Sequence, residues 1–166
     1  MPEGAGGSIV HALKYGGWQK VAHPMAARMA RTDWPADVLA ERTALIPVPL
    51  ARDRERERGY NQSELLAREI GRLWRAPVWT DVLVRRRGTQ TQTRLTPVER
   101  LANVAGAFAL VPASQPKLAG AHLVLVDDVI TTASTLNACA RVLYGHGARI
   151  ISYVTFGRAR APSDAV

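Results

Sequence analysis

The chain has 166 residues, 47% of them apolar, enough for one domain with a genuine core and too apolar for wholesale disorder. Lysine and arginine exceed aspartate and glutamate by 22 − 14 = 8, so charge favours polyanionic partners: nucleic acid, phosphate-rich metabolites or acidic proteins. Cys139 is the single cysteine, which excludes an internal disulfide and a multi-cysteine zinc site, and no apolar run approaches the roughly 20 residues of a membrane span.

Residues 1–7 (MPEGAGG) read as a loose end without the basic start and apolar stretch of a secretory signal, so the cytoplasm is the expected compartment. Ser8 is expected to cap a short helix that carries Ile9, Val10 and Leu13 on one side and stops at Gly16-Gly17. A second helix is expected from near Pro24, with Met25 and Met29 four apart. His11 and His23 lack cysteine partners at ligand spacing and read as structural or surface histidines. Ala44-Leu45-Ile46-Pro47-Val48-Pro49 has the form of a short buried strand ended by prolines. The run RDRERER alternates in sign and reads as a solvated loop. Asn61-Gln62-Ser63-Glu64 resembles a capping box, with Asn61 on the amides and Glu64 reaching back; Leu66, Ile70, Leu73 and Trp74 form the inner face of the helix it opens. Val82-Leu83-Val84 is a strand candidate, and Arg86 to Thr96 reads as a mobile polar loop. Thr96-Pro97-Val98-Glu99 opens a short helix, and Ala107 to Val111 suggests a further strand.

The clearest element comes last. Leu123-Val124-Leu125-Val126 is a continuous apolar run, as in a strand covered on both faces. A loop from Asp127 to Thr135, a helix to about Gly145 and a strand from Ile150 to Phe156 complete a βαβ unit. In that helix Cys139 falls in an apolar pattern with Leu136, Ala140 and Leu143, the place of a small core residue. Residues 158–166 read as a second loose end. The fold class is α/β, and in such sheets ligands sit beyond the carboxyl ends of the strands, where Asp127 and Asp128 fall.

Asp127-Asp128-Val129-Ile130-Thr131-Thr132-Ala133-Ser134-Thr135 joins a buried strand to a helix. Unpaired amides and the helix dipole bind phosphate at such an N-terminus, and Thr131, Thr132, Ser134 and Thr135 add hydroxyl donors. Two carboxylates just before a phosphate cradle need ribose hydroxyls or a hard cation such as Mg²⁺ to face. A phosphate one sugar away from two carboxylates describes a ribose-5-phosphate site. Neither a Walker glycine-lysine pair nor a GxGxxG turn supports nucleotide hydrolysis.

VLVDDVITTAST resembles the phosphoribosyl pyrophosphate (PRPP) signature of type I phosphoribosyltransferases. IPVPLARDRERERGYNQSELLAREI (46–70), TQTQTRLTPVERLANVAGAF (89–108) and HALKYGG (11–17) resemble the competence-protein-F (ComF) branch of that superfamily. The resemblance implies a single domain over 1–166, with a Rossmann-like, mostly parallel sheet flanked by helices. It also implies phosphoribosyl transfer from Mg-PRPP to an unknown acceptor, with release of pyrophosphate. By the same resemblance Thr131, Thr132, Ala133, Ser134 and Thr135 hold the 5-phosphate, and Asp127 and Asp128 meet the ribose hydroxyls directly or through Mg²⁺. Arg52 and Arg58 are candidates for the pyrophosphate; Thr89, Gln92 and Arg100 fall in or beside the segment that closes over the site. No residue identifies itself as the base for an acceptor.

Three features depart from the family pattern. Ala133 replaces a usual glycine, which strains the loop if φ is positive there, and Arg94 replaces a usually small residue. The four-cysteine zinc finger that commonly opens ComF proteins is absent from these residues, as expected of a finger-less form or of a true start upstream. The alternative function is a non-catalytic module that senses PRPP, or binds single-stranded DNA or proteins of the competence machinery during DNA uptake. Stacking platforms want several exposed aromatics, and only Tyr60 and Trp74 lie near the arginine-rich stretches.

Overall fold

In the computed structural model of the chain, residues 5–15, 17–86 and 106–158 are described. Helix α1 spans Ala5–Tyr15, so it begins three residues before Ser8, which sits inside it rather than at its cap. A 3₁₀ turn, Gln19–Val21, leads into α2, Ala22–Ala30. Pro24 lies in the first turn of α2, where its missing N–H removes no hydrogen bond. Helix α3, Ala36–Glu41, was not expected from the sequence; it buries one residue, Val38, too few for an amphipathic signal.

Strand β1 is Ala44–Pro47, buried throughout. The RDRERER run that follows is a helix, α4 (Arg52–Arg58), not a loop. Asp53 and Glu55 at its start and Arg56 and Arg58 at its end complement the helix dipole, and Gly59 closes it at φ 81°. None of its residues is buried, so the expected solvation holds while the conformation differs. Helix α5, Gln62–Trp74, is capped as expected by the Asn61 side chain, which accepts from the Ser63 amide at 3.0 Å. Glu64 does not reach back; it accepts from Arg68 one turn on, at 2.7 Å. Leu66 and Ile70 are buried, but Leu73 is 49% exposed. A helix face that follows Leu66, Ala67 and Ile70 reaches Gly71 and then Trp74, leaving Leu73 on the flank. Trp74 packs edge-on to Trp34 with ring centroids 5.0 Å apart. A Cβ on Gly71 would meet Val78 Cγ2 at 2.6 Å, so glycine here lets the chain return close enough for Val78 to bridge Leu45.

Strands β2 (Leu83–Arg85) and β3 (Phe108–Leu110) form an antiparallel pair; β2 is shifted by one residue from its expected run and β3 is shorter than its own. After a 3₁₀ segment, Pro112–Leu118, strand β4 runs from His122 to Ile130. Helix α6 (Ser134–Gly145) and strand β5 (Ile150–Arg158) follow. The parallel sheet has the order β1-β4-β5. The β4–α6–β5 unit expected from the sequence is therefore present, with one difference. Pairing with β5 continues through Asp127↔Thr155 to Ile130↔Arg158, so both aspartates belong to the strand and the connection to α6 shrinks to residues 131–133.

Strand alternation builds the two halves of the core. Ala44, Ile46, Leu123 and Leu125 pack with Leu136, Cys139 and Leu143 of α6 and with Leu83 and Phe108 of the small pair. Leu45, Val124 and Val126 face the other way, onto Leu13 of α1, Met25 and Met29 of α2, and Leu66 and Ile70 of α5. Cys139 is fully buried in the first half, and burial pushes its thiol well up, so it is a core residue as expected. Thr96 to Glu99 and most of the 86–96 segment lie outside the described residues.

Candidate functional site

The middle strand of the parallel sheet carries Asp127 and Asp128 in its last four residues, and after Ile130 a three-residue turn leads into α6. Alternation alone would send the two side chains to opposite faces. Both are instead tied to helices of one layer. Asp127 Oδ1 accepts from the Ser63 hydroxyl of α5 at 2.8 Å and from the Asp128 amide at 2.9 Å. Asp128 Oδ1 accepts from the Val129 amide at 2.8 Å, and Lys14 Nζ of α1 lies 2.8 Å from Asp128 Oδ2. That last approach is an ion pair without a well-directed hydrogen bond, since the buried Oδ2 accepts none. The Asp128 side chain is only 4% exposed, so Lys14 is the cation that makes a buried carboxylate tolerable there.

These surroundings split the pair electrostatically. Burial, then the charge of Asp128, pushes the Asp127 carboxyl up to about 6; the Ser63 hydroxyl and Lys14 pull it back only in part. Asp127 is thus the carboxyl of the pair that takes up a proton first as the pH falls toward 6.

Beyond the strand, Thr131 and Thr132 are exposed, while Ala133, Ser134 and Thr135 are half-buried. The Thr132 and Ser134 hydroxyls are 2.9 Å apart. Ala133 is the N-cap of α6, with φ 57° and ψ 1°, and its carbonyl accepts the Asn137 amide at 2.8 Å. The positive φ that a glycine would supply is therefore required here, and alanine adopts it. The first amides of α6 have no intrahelical acceptor and open on this turn.

The edge of the site is built by β1. The Val48 amide donates to the Val126 carbonyl at 3.0 Å, and Asn61 Nδ2 donates to the Val48 carbonyl at 3.1 Å. The Asn61 side chain thereby links β1 to the start of α5 just where Ser63 meets Asp127. Of the expected pyrophosphate ligands, Arg52 is exposed on α4, whereas Arg58 bonds Gln62 and lies over the Tyr15 ring at 5.4 Å. Neither contacts the aspartates or the turn. Thr89, Gln92 and Arg100 lie outside the described residues.

Sequence reading missed Lys14, Ser63, Asn61 as a bridge, and Arg85. Lys14 stood in the HALKYGG segment, but nothing in a helix pattern says what its ammonium will meet. Arg85 belongs to the run of three arginines; burial, then the like charge of Arg54, lowers its pKa, and it lies over Phe108 at 5.4 Å. No helix among the described residues is long and apolar enough to cross a membrane.

Residues 57–165 match the family model of the phosphoribosyl transferase domain. The chain belongs to the phosphoribosyltransferase family. Within that superfamily it sits in the ComF branch: it is 39% identical to competence protein F of Haemophilus influenzae, over 71% of this chain and 50% of that protein. It is 33% identical to the DNA utilization protein YhgH of Salmonella typhi, over 86% of this chain and 63% of the relative. The chain thus spans between half and just under two thirds of the length of these curated relatives. A solved structure of the allosteric regulatory enzyme of purine biosynthesis superposes with a TM-score of 0.52 at 18% identity, covering 89% of this chain and 26% of that one. That likeness concerns the backbone alone and agrees with the type I phosphoribosyltransferase fold of the family.

Proposed function

We propose that this ComF-type domain binds Mg-PRPP and transfers its phosphoribosyl group to an acceptor with release of pyrophosphate. One observation carries the reading: at the carboxyl end of the middle strand the acidic pair and the hydroxyl-rich turn that opens α6 lie three residues apart. The turn offers amides and the Thr131, Thr132, Ser134 and Thr135 side chains to the 5-phosphate. Asp127 and Asp128, three residues before it in the chain, suit the two hydroxyls of a ribose.

The donor set also fits magnesium. Among the described residues no group of three or more His, Cys, Asp or Glu gathers as a cation cage. Two hard carboxylates with the rest of the shell left to phosphates and water is the usual magnesium arrangement. Asp127 and Asp128 would hold the ion, directly or through the ribose hydroxyls, and when bound it would supply charge neutralisation to the departing pyrophosphate. The protein's own part is positioning: the turn fixes the phosphate, the carboxylates fix the ring, and the bond from the anomeric carbon to pyrophosphate breaks as the acceptor's bond forms. Of the two arginines expected at pyrophosphate, Arg52 is the one left to approach it, since Arg58 is engaged by Gln62 and Tyr15.

A second reading, a module that binds single-stranded nucleic acid beside this pocket, is favoured by one finding. Tyr60 and Trp74 are half-buried, but Tyr15 and Trp18, 69% and 66% exposed, stand next to Lys14 and Lys20 in sequence. Calorimetric titration of PRPP with Mg²⁺ separates the two. Tight binding to the wild type, lost in Asp127→Ala/Asp128→Ala, is expected, followed by pyrophosphate release once an acceptor is supplied. A folded wild type that binds no PRPP overturns the transfer reading. Salt-sensitive oligonucleotide binding that survives loss of both aspartates would put the module in its place.

A further inference from the structure

We propose that Lys14 is the resident counter-cation of the acidic pair, and that a divalent cation reaching Asp128 must displace it. The inference deepens the Mg-PRPP reading, on which it rests for the purpose of the site; the competition itself is independent of any sugar phosphate. Asp128 is 3% exposed, and its Oδ1 is already taken by the Val129 amide. Oδ2 is the oxygen that remains; it has no hydrogen bond, and Lys14 Nζ sits 2.8 Å from it. An ammonium and a metal dication sharing one carboxylate oxygen would stand within about 4 Å of each other and repel, the more so because Asp128 is shielded from water. One of them must leave. On the neighbouring residue, Asp127 Oδ1 is likewise taken, by Ser63 and the Asp128 amide.

The ammonium is delivered by design of the fold rather than by a wandering surface chain. The end of α1 is pinned beside the site: the Tyr60 hydroxyl donates to the Leu13 carbonyl, Leu13 is fully buried, and the Arg58 guanidinium lies 5.4 Å from the Tyr15 ring. The Lys14 side chain is 26% exposed, so it has a solvent path to swing into when displaced. Free metal is thereby held off the empty site, whereas metal arriving on a polyanionic ligand brings its own compensation for the released ammonium. Lys14 is a positioning residue that sets the metal preference of the pair.

The test uses Mn²⁺ alone, with the free ion read by electron paramagnetic resonance. Wild type is expected to bind it weakly, Lys14→Met more tightly by about tenfold, and Lys14→Arg as weakly as wild type. A merely structural ion pair would lower stability in Lys14→Met without raising metal affinity. Should Lys14→Met fail to fold, hydrogen exchange of the wild type at saturating Mn²⁺ decides: faster exchange at Leu13, Lys14 and Tyr15 is expected, and unchanged exchange overturns the proposal. A folded Lys14→Met that binds Mn²⁺ no more tightly than wild type overturns it as well. In that event PRPP binding by the wild type would leave the phosphoribosyl reading standing. Loss of PRPP binding with the Mn²⁺ effect intact would do the reverse.

Discussion

At Ala133 the backbone takes φ 57°, a conformation in which a Cβ crowds the following carbonyl. The strain of an L-residue there is about 1–2 kcal/mol. Glycine removes it but gains freedom in the unfolded chain, which offsets about 0.4–1 kcal/mol. Ala133→Gly is therefore expected to stabilise the domain by about 1 kcal/mol or less. The urea midpoint checks this, and a lower midpoint would mean that the alanine methyl makes packing contacts worth more than the strain. The sequence pattern had singled out this position by the glycine usual there; only the backbone angle says that alanine is strained.

Asn61 shows the same economy at the level of elements. Its Oδ1 caps α5 through Ser63, and its Nδ2 holds the end of β1 through Val48. Asn61→Ala removes both, leaves the Val48 carbonyl unpaired in a buried place, and is expected to cost about 1–3 kcal/mol in thermal unfolding. Because Ser63 donates to Asp127, the variant is also expected to weaken PRPP binding, whereas Asn61→Asp keeps the cap but sets a carboxylate oxygen against the Val48 carbonyl. A variant that melts earlier yet binds PRPP unchanged would show that Ser63 is held in place by the rest of α5. The capping residue was legible because Asn-x-x-Glu before an apolar run is a local signal. Its bond to Val48, thirteen residues away, was not. The charged run 52–58 misled for a related reason: it lacks an apolar stripe, so its helix rests on end charges and Gly59 rather than on burial.

Across the whole molecule, β4 carries two titrating groups with opposite leanings. Asp127, at its carboxyl end, is raised from 3.8 to about 6, so the native state binds a proton that the unfolded chain has lost. That contribution is complete below pH 3.8 and disappears as pH rises through about 6. His122, at the amino end, is buried with Nε2 3.0 Å from the Ser152 hydroxyl and Nδ1 unpaired among the described residues. Burial depresses its pKa below 6.5; Glu41 and Asp37 counter this, and Arg149 reinforces it. Its contribution is present above pH 6.5 and is lost as pH falls through the depressed value. The two slopes oppose each other, and Asp127→Asn is expected to leave only the loss on acidification. Urea midpoints between about pH 4 and pH 8 test this; a mutant profile parallel to the wild type would remove Asp127 from the account.

The nature of the fold was already present in local pattern. An apolar run, an acidic pair, a hydroxyl-rich turn and a 3.6-period helix specify β4–α6–β5, because each element's burial is encoded in its own residues. What surrounds the acidic pair was settled elsewhere. Ser63 and Lys14 arrive from helices 64 and 114 residues earlier in the chain, brought there by Leu13, Leu66 and Val126 packing in one core. A side chain's neighbours depend on which apolar faces meet, and no periodicity within one segment carries that information. The sequence alone therefore marked the acidic pair and the hydroxyl-rich turn, and tertiary packing decided which carboxylate is ion-paired by a lysine and which accepts a serine hydroxyl.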